Sequence, residues 1–465
     1  MPPDLAIRRT SHHPTAVLAA VIVAVLVMLL GSFGAGPRTV LGAVPFATPD
    51  LTATVTPSTD PIVLDSTVTF FGRGYGHGVG MSQYGARGRA LDGQDATTIL
   101  AHYYRGATLG SVATTTRIRV RILWKWPASS AKPLLVYGRL APWTIDGISA
   151  TFPVDAALRL IPTATSTAAG PRTTWRLRVK AADGTVLYDA AKPASVVVRG
   201  AAASSRFQLR GKPTSHDEFR GILRIRAAST SPTVTVVNDL RLETYLRGVV
   251  PAEMPSTWPT AALEAQSIAS RSYAARRLRP GVSYYDVRDD SSSQVYRGAL
   301  GERAATNAVI RSTAGVVLRS RTAIANTLFH STGGGATEHN ENVYTSSTGA
   351  KVAGPVSYQR GSSDRRADGT SFDAAAPYAT WATRTYTTAQ LSAWLAADPR
   401  TNVGTLTALD LGDRGVSGRL ISVTLIGTTG SRKVSSGVFR SVFNAGRPAG
   451  DPMLRSTLFA TAPIP

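Results

Sequence analysis

A chain of 465 residues with 43% hydrophobic and 17% charged residues holds enough apolar material for a large core, which excludes disorder beyond its ends. The absence of cysteine excludes a disulfide scaffold and thiolate metal sites. A net charge of +22 points to an anionic partner, or else to arginine-rich usage on a solvated surface.

The chain opens with Arg8 and Arg9, then an uncharged run from Pro14 to Gly36 whose centre, Ala16 to Leu30, is apolar throughout. A basic flank followed by an apolar core reads as an export signal. Its length also approaches the roughly 20 residues that span a bilayer, so residues 1–45 are a cleaved signal peptide or a retained membrane anchor. Either way the remainder is expected to be extracytoplasmic, secreted to the wall or tethered to the membrane. There the positive charge matches anionic wall polymers and peptidoglycan carboxylates, with no role for nucleic acid. The Thr- and Pro-rich residues 46–62 read as a linker.

Leu64 to Phe71 alternates like a strand and opens a glycine-rich module over residues 63–115. Within it Phe71 to Ala86 reads FGRGYGHGVGMSQYGA, with glycine at nearly every second position. Such a run lets backbone approach backbone or ligand closely, and His77, Ser82 and Gln83 could present polar groups into a cleft. The alternative is a glycine-rich turn packed under a sheet. It lacks the ending of a phosphate-binding loop. Residues 116–235 hold short alternating runs such as Ile118 to Leu123, Trp175 to Val179 and Ile222 to Ile225, which predict a β-rich meander or small barrel. Pro162 to Thr174 reads as an internal loop.

Residues 236–460 are the expected core. Leu240 to Arg279 reads LRLETYLRGVVPAEMPSTWPTAALEAQSIASRSYAARRLR, in which Ala261, Ala265, Ala269, Ser272 and Ala275 recur at helical spacing and Pro280-Gly281 supplies a stop. The pattern predicts a buried helix with a face of small side chains. Before it, Glu253 lies between Pro251 and Pro255 in an expected turn, with Val249, Val250, Met254 and Trp258 available to exclude water and raise its pKa. The N-terminus of the following helix would act the other way. Glu253 is thus either a shielded proton donor or a structural carboxylate that caps the helix or pairs with Arg241 or Arg247.

This stretch resembles the signature of the SpoIID/LytB family, the stage II sporulation protein D and amidase-enhancer-like proteins of bacterial cell walls. FGRGYGHGVGMSQYGA resembles a second motif of that family, here permuted to the N-terminal side of the glutamate block, and the similarity runs from about Phe70 to Phe459. It implies an α+β fold and a peptidoglycan lytic transglycosylase with Glu253 as catalytic acid, or alternatively a non-catalytic, wall-binding enhancer of an amidase. Substrate contacts are expected from His77, Ser82 and Gln83 in the glycine-rich block, and from Gln266 and Arg271 on the helix. Beyond the helix, Asp290, Gln294 and Tyr296 are further candidates, although a turn followed by a satisfied strand would use the same residues. His77 to Gln83 and Glu253 should line one groove.

His330 to His339, HSTGGGATEH, resembles another family element and contributes Ser331 and Glu338. His330, Glu338, His339 and Glu341 are possible metal donors, but they lack the spacing of a zinc helix and are read as loop or sugar-contact residues. No cofactor is expected.

Overall fold

The computed structural model describes residues 60–464 apart from 168–169 and 193–194. The expected signal or anchor and most of the linker lie outside these residues. Among the described residues no helix is long and apolar enough to cross a membrane. The fold is mixed α/β and rich in strands, and eight α-helices occur among the described residues.

The β-rich region is two open sheets over one core, and neither sheet closes into a barrel. A seven-stranded sheet has the order 287–288, 117–127, 233–241, 222–227, 195–200, 143–145, 151–152, antiparallel except at its first pair. A six-stranded sheet has the order 186–192, 170–180, 157–167, 134–139, 206–209, 218–219. Alternate residues of both, including Ile118, Val120, Leu223, Ile225, Leu158, Leu160, Leu177 and Phe207, join a single buried cluster. Period-two alternation gives each sheet one apolar face, and the two faces cover one another. The expected loop at Pro162 to Thr174 is instead the far half of a long hairpin: Pro162 stands opposite Trp175 and Thr163 opposite Thr174. The β-branched Thr163, Thr173 and Thr174 suit a pleated strand.

Helices gather beside this sandwich. Gln83–Leu91 (α1) and Ala96–Tyr103 (α2) follow the glycine-rich block, and Leu242–Glu253 (α3) continues from strand 233–241. The Ala-rich segment forms Thr260–Ala275 (α4), with Pro259 at its N-cap. Ala304–Ser312 (α5) follows. α4 packs on α1, α2, α3, α5 and strand 316–320, and it is buried almost continuously from Ala262 to Ala275. Small side chains make this possible, because neighbours on every side need close approach. Met81, Ile99, Leu100, Tyr104, Met254 and Ile268 fill the helical core.

Strand pieces at 62–63, 67–68 and 71–73 replace the one continuous strand expected from Leu64 to Phe71. The first joins a four-stranded sheet with 406–410, 422–427 and 430–435. After the short helix Asn340–Val343 (α6), Thr388–Ala396 (α7) and Ser436–Gly446 (α8) complete that side. Phe70 sits edge-on to Phe439, Phe443 and Phe459 at its centre.

The glycine-rich ribbon threads between these cores. Gly74, Gly76, Gly78 and Gly80 all have positive φ. At Gly80, with φ +70°, an added Cβ would lie 2.0 Å from the Leu328 carbonyl oxygen, so a side chain is excluded by both conformation and space. Gly93, with φ +83°, has nothing within 4 Å. Gly93→Ala should therefore cost only the left-handed backbone penalty, about 1–2 kcal/mol. Gly80→Ala adds steric overlap and should lose more than about 3 kcal/mol in urea unfolding. Equal losses at the two positions would contradict this packing.

Candidate active site

α3 does not stop at Pro251 as a turn would require. It runs on through Ala252 and ends at Glu253, with the Met254 N–H bonded to the Val250 carbonyl. A proline near a helix end sacrifices only one N–H bond, which makes this tolerable. The consequence is electrostatic: Glu253 lies at the negative end of a helix dipole, where an anion is disfavoured.

Glu253 opens into a cleft of about 460 Å³ shared with Tyr75 and His77 of the glycine ribbon, Gln83 at the start of α1, and Tyr273 of α4. Ser291, Ser293 and Val295 form another wall, and Leu328 to Ser331 with Tyr344 complete it. Val249 and Val250 enter the sandwich core and Met254 the helical core, while residues from other elements line the cleft beside Glu253.

The Val295 N–H donates to Oε1 of Glu253 at 3.1 Å, and the Gln83 amide donates to Oε2 over a long 3.5 Å. Burial raises the Glu253 pKa above the usual carboxylate value, and these two donors only partly oppose it. Among the described residues Glu253 makes no ion pair, so neither Arg241 nor Arg247 neutralises it. It is also the only carboxylate among the residues lining the cleft.

Two histidines stand near it. His77 and His330 have ring centroids 5.4 Å apart, and His77 Nδ1 accepts from the Val79 N–H at 3.0 Å. Burial and the nearby Arg419 charge lower the His77 pKa to about 4, and burial with His77 lowers His330 further. Both rings are neutral near pH 7. His330 Nε2 is buried with no hydrogen-bond partner.

The other expected substrate residues divide between cleft and support. Ser331 lines the cleft beside His77 and Gln83. Ser82 is fully buried: its hydroxyl oxygen accepts from Gly85 N–H, capping α1, and from Gly333 N–H, each at 3.1 Å. Gln266 lies behind Gln83, accepting from it at 3.5 Å and donating to the Ser270 hydroxyl at 2.9 Å. Gln294 bonds Tyr245 and the Ser270 carbonyl, and Tyr296 donates to Asn238 at 2.9 Å. These contacts fix the backbone on both sides of Val295, and hence its N–H toward Glu253. Asp290 is exposed, accepts from the N–H and hydroxyl of Ser292, and shapes the turn that carries Ser291 and Ser293.

Arg271 and Glu338 hold the frame. Arg271 is fully buried and clasps Glu243 through two bonds of 2.8 Å, with a third donor on the Val316 carbonyl at 3.1 Å, tying α4 to α3. Glu338 accepts from His339, Val416 and Ser417 N–H groups and from Asn342. His339 Nδ1 accepts from Gly361 N–H, and Glu341 pairs with Arg360. Among the described residues no three His, Cys, Asp or Glu are grouped to hold a metal ion.

Sequence reasoning missed Tyr75, Tyr273, Tyr344 and the Val295 N–H as parts of the cleft. Tyr75 and Tyr344 had only their closeness to GHG and TEH to mark them. A backbone donor has no signature at all.

Residues 230–319 match the family model described as SpoIID: Stage II sporulation protein. The chain is 28% identical over 183 residues to the amidase enhancer of Bacillus subtilis, covering 37% of this chain and 25% of that protein. It is 32% identical over 114 residues to an uncharacterised protein of Brachyspira hyodysenteriae, covering 24% of this chain and 31% of the other. A stage II sporulation protein D of Bacillus amyloliquefaciens is 51% identical over 43 residues, 9% of this chain and 12% of that one. The matched stretches thus span less than a third of each relative's length. The chain carries a SpoIID family domain and is distantly homologous to the amidase enhancer and to stage II sporulation protein D.

Proposed function

We propose that this protein is an exported lytic transglycosylase that cuts the glycan strands of peptidoglycan, with Glu253 as the sole acid and base. The observation that carries this reading is a carboxyl with no ion-pair partner among the described residues, its pKa raised by burial, in a cleft whose lining holds no second carboxylate. A glycosidase acting by hydrolysis commonly places two carboxylates about the scissile bond. Transglycosylation needs one. Glu253 first donates its proton to the glycosidic oxygen, and as carboxylate it then accepts the proton of the muramic acid 6-hydroxyl as that oxygen closes on the anomeric carbon.

The surrounding groups suit that sequence. The Val295 N–H and the Gln83 amide hold the carboxyl in place in its charged phase, and Tyr75, Tyr273 and Tyr344 offer aromatic surface to sugar rings. Neutral His77 and His330 place no positive charge against a developing oxocarbenium ion. An extracytoplasmic location and attraction to anionic wall polymers fit the N-terminal sequence and the charge of +22. The stretch of likeness to the amidase enhancer favours a second reading, in which the protein binds the wall and stimulates an amidase.

Glu253→Gln separates the two. Glutamine preserves shape but cannot transfer the proton, so glycan cleavage should fall by about 10²- to 10⁴-fold while binding to wall material survives. Unchanged cleavage would remove Glu253 from the chemistry, and a parent protein that never cleaves but still stimulates an amidase would favour the second reading.

The pH dependence has a definite sign. As general acid, Glu253 should give a kcat/KM that is highest at low pH and declines as pH rises through its elevated pKa. Stability moves the same way: a raised folded pKa stabilises the fold most below the unfolded carboxyl pKa, and this is lost as pH rises through the folded value. Glu253→Gln has no such loss, so urea unfolding should find it level with the parent near about pH 4 and more stable near about pH 7. A variant less stable at the higher pH would contradict the burial of an uncompensated carboxyl.

A further inference from the structure

A second cavity, about 520 Å³, lies at the end of the seven-stranded sheet where α3 begins. Glu253 is at the other end of that twelve-residue helix, about 18 Å away at 1.5 Å per residue. Five arginines line this cavity, Arg117, Arg199, Arg220, Arg241 and Arg247, and no carboxylate does. The strand register explains the convergence. Arg117 is directly opposite Arg241 on neighbouring strands, and Arg199 is opposite Ile222, which follows Arg220 and Gly221.

Three of these charges are balanced from outside the cavity lining. Arg117 pairs with Asp239 at 2.7 Å, Arg199 with Asp146 at 2.6 Å and Arg220 with Glu302 at 2.6 Å, while Asp239 is shared with Arg224. Arg241 and Arg247 have no carboxylate partner among the described residues, and Nε of Arg247 is buried without an acceptor. α3 starts here without a side-chain cap, and Thr244 of its first turn lines the cavity. The Leu242 N–H is taken by the Thr116 carbonyl at 2.8 Å, and the positive end of the helix adds potential to the same space.

We infer that this cavity is a binding site for a phosphate group. One carboxylate is satisfied by one guanidinium fork, whereas two forks without a carboxylate partner, beside a helix start that has no side-chain cap, match the larger acceptor capacity and charge of a phosphate. The phosphate is carried on a polymer or is free in solution, and the same two arginines hold it in either case. The site stands apart from Glu253 and does not depend on its chemistry.

The test measures binding of the full chain, in detergent, to poly(glycerol phosphate), with inorganic phosphate as competitor and poly(glutamate) as a phosphate-free polyanion. Arg241→Gln with Arg247→Gln should weaken poly(glycerol phosphate) binding by at least about tenfold, a loss of about 1.4 kcal/mol. Arg276→Gln with Arg311→Gln removes the same charge outside the cavity and should change binding much less. Competition by inorganic phosphate at concentrations where the polymer gains no advantage identifies the free ion as the ligand; a large polymer advantage identifies the phosphodiester chain. Thermal unfolding of the first double variant should match the parent. Equal losses in both double variants, or poly(glutamate) binding as tightly as poly(glycerol phosphate), would overturn the assignment.

Discussion

The structure turns on the partial withdrawal of one carboxyl from water without a countercharge. Glu253 ends α3 at the unfavourable pole of the helix, is shielded by residues from the glycine ribbon, α4 and the segment around Val295, and receives only two neutral donors. Such surroundings favour the protonated form, and burial raises the Glu253 pKa accordingly. Every element that meets at the cleft contributes either to the shield or to the rigidity of the cleft wall.

That rigidity has identifiable sources. α4 can serve as a central strut because alanine and serine allow five neighbours to approach it, and the Arg271–Glu243 clasp fixes α3 against it. Breaking a buried pair by removing one partner costs about 3–5 kcal/mol, because the other charge is left stranded. Ser82 binds α1 to the Gly333 loop, and strand 81–82 pairs in parallel with 329–330, bringing two stretches far apart in sequence to the same wall. The glycine-rich block and the glutamate block, far apart in sequence, therefore assemble one cleft. Spatial proximity, not chain order, is what the chemistry requires.

The central helix was legible because small residues at 3.6-residue spacing have few other uses, and the glycine block because alternating glycines mark backbone in close contact. Glu253, His77 and Gln83 could be placed in one groove from their motifs. Several other polar residues could not be sorted. Ser82, Gln266, Arg271, Gln294 and Glu338 belong to motifs beside the cleft, yet they bond to backbone and buried side chains behind it. A motif preserves residue type and spacing but carries no direction, so supporting and contacting residues look alike in sequence. The reading of Pro162 to Thr174 failed for a related reason: threonine and alanine suit an exposed loop and a projecting hairpin equally, and only the pairing of Pro162 with Trp175 separates them.

The most direct measurement of the central claim is product analysis of purified peptidoglycan glycan digested in H₂¹⁸O. A single-carboxylate transglycosylase closes the muramic acid ring on its own 6-hydroxyl, so mass spectrometry should find anhydro-ended fragments with no ¹⁸O at the cleaved terminus. Reducing ends carrying ¹⁸O would mean that water is the nucleophile and would contradict the account.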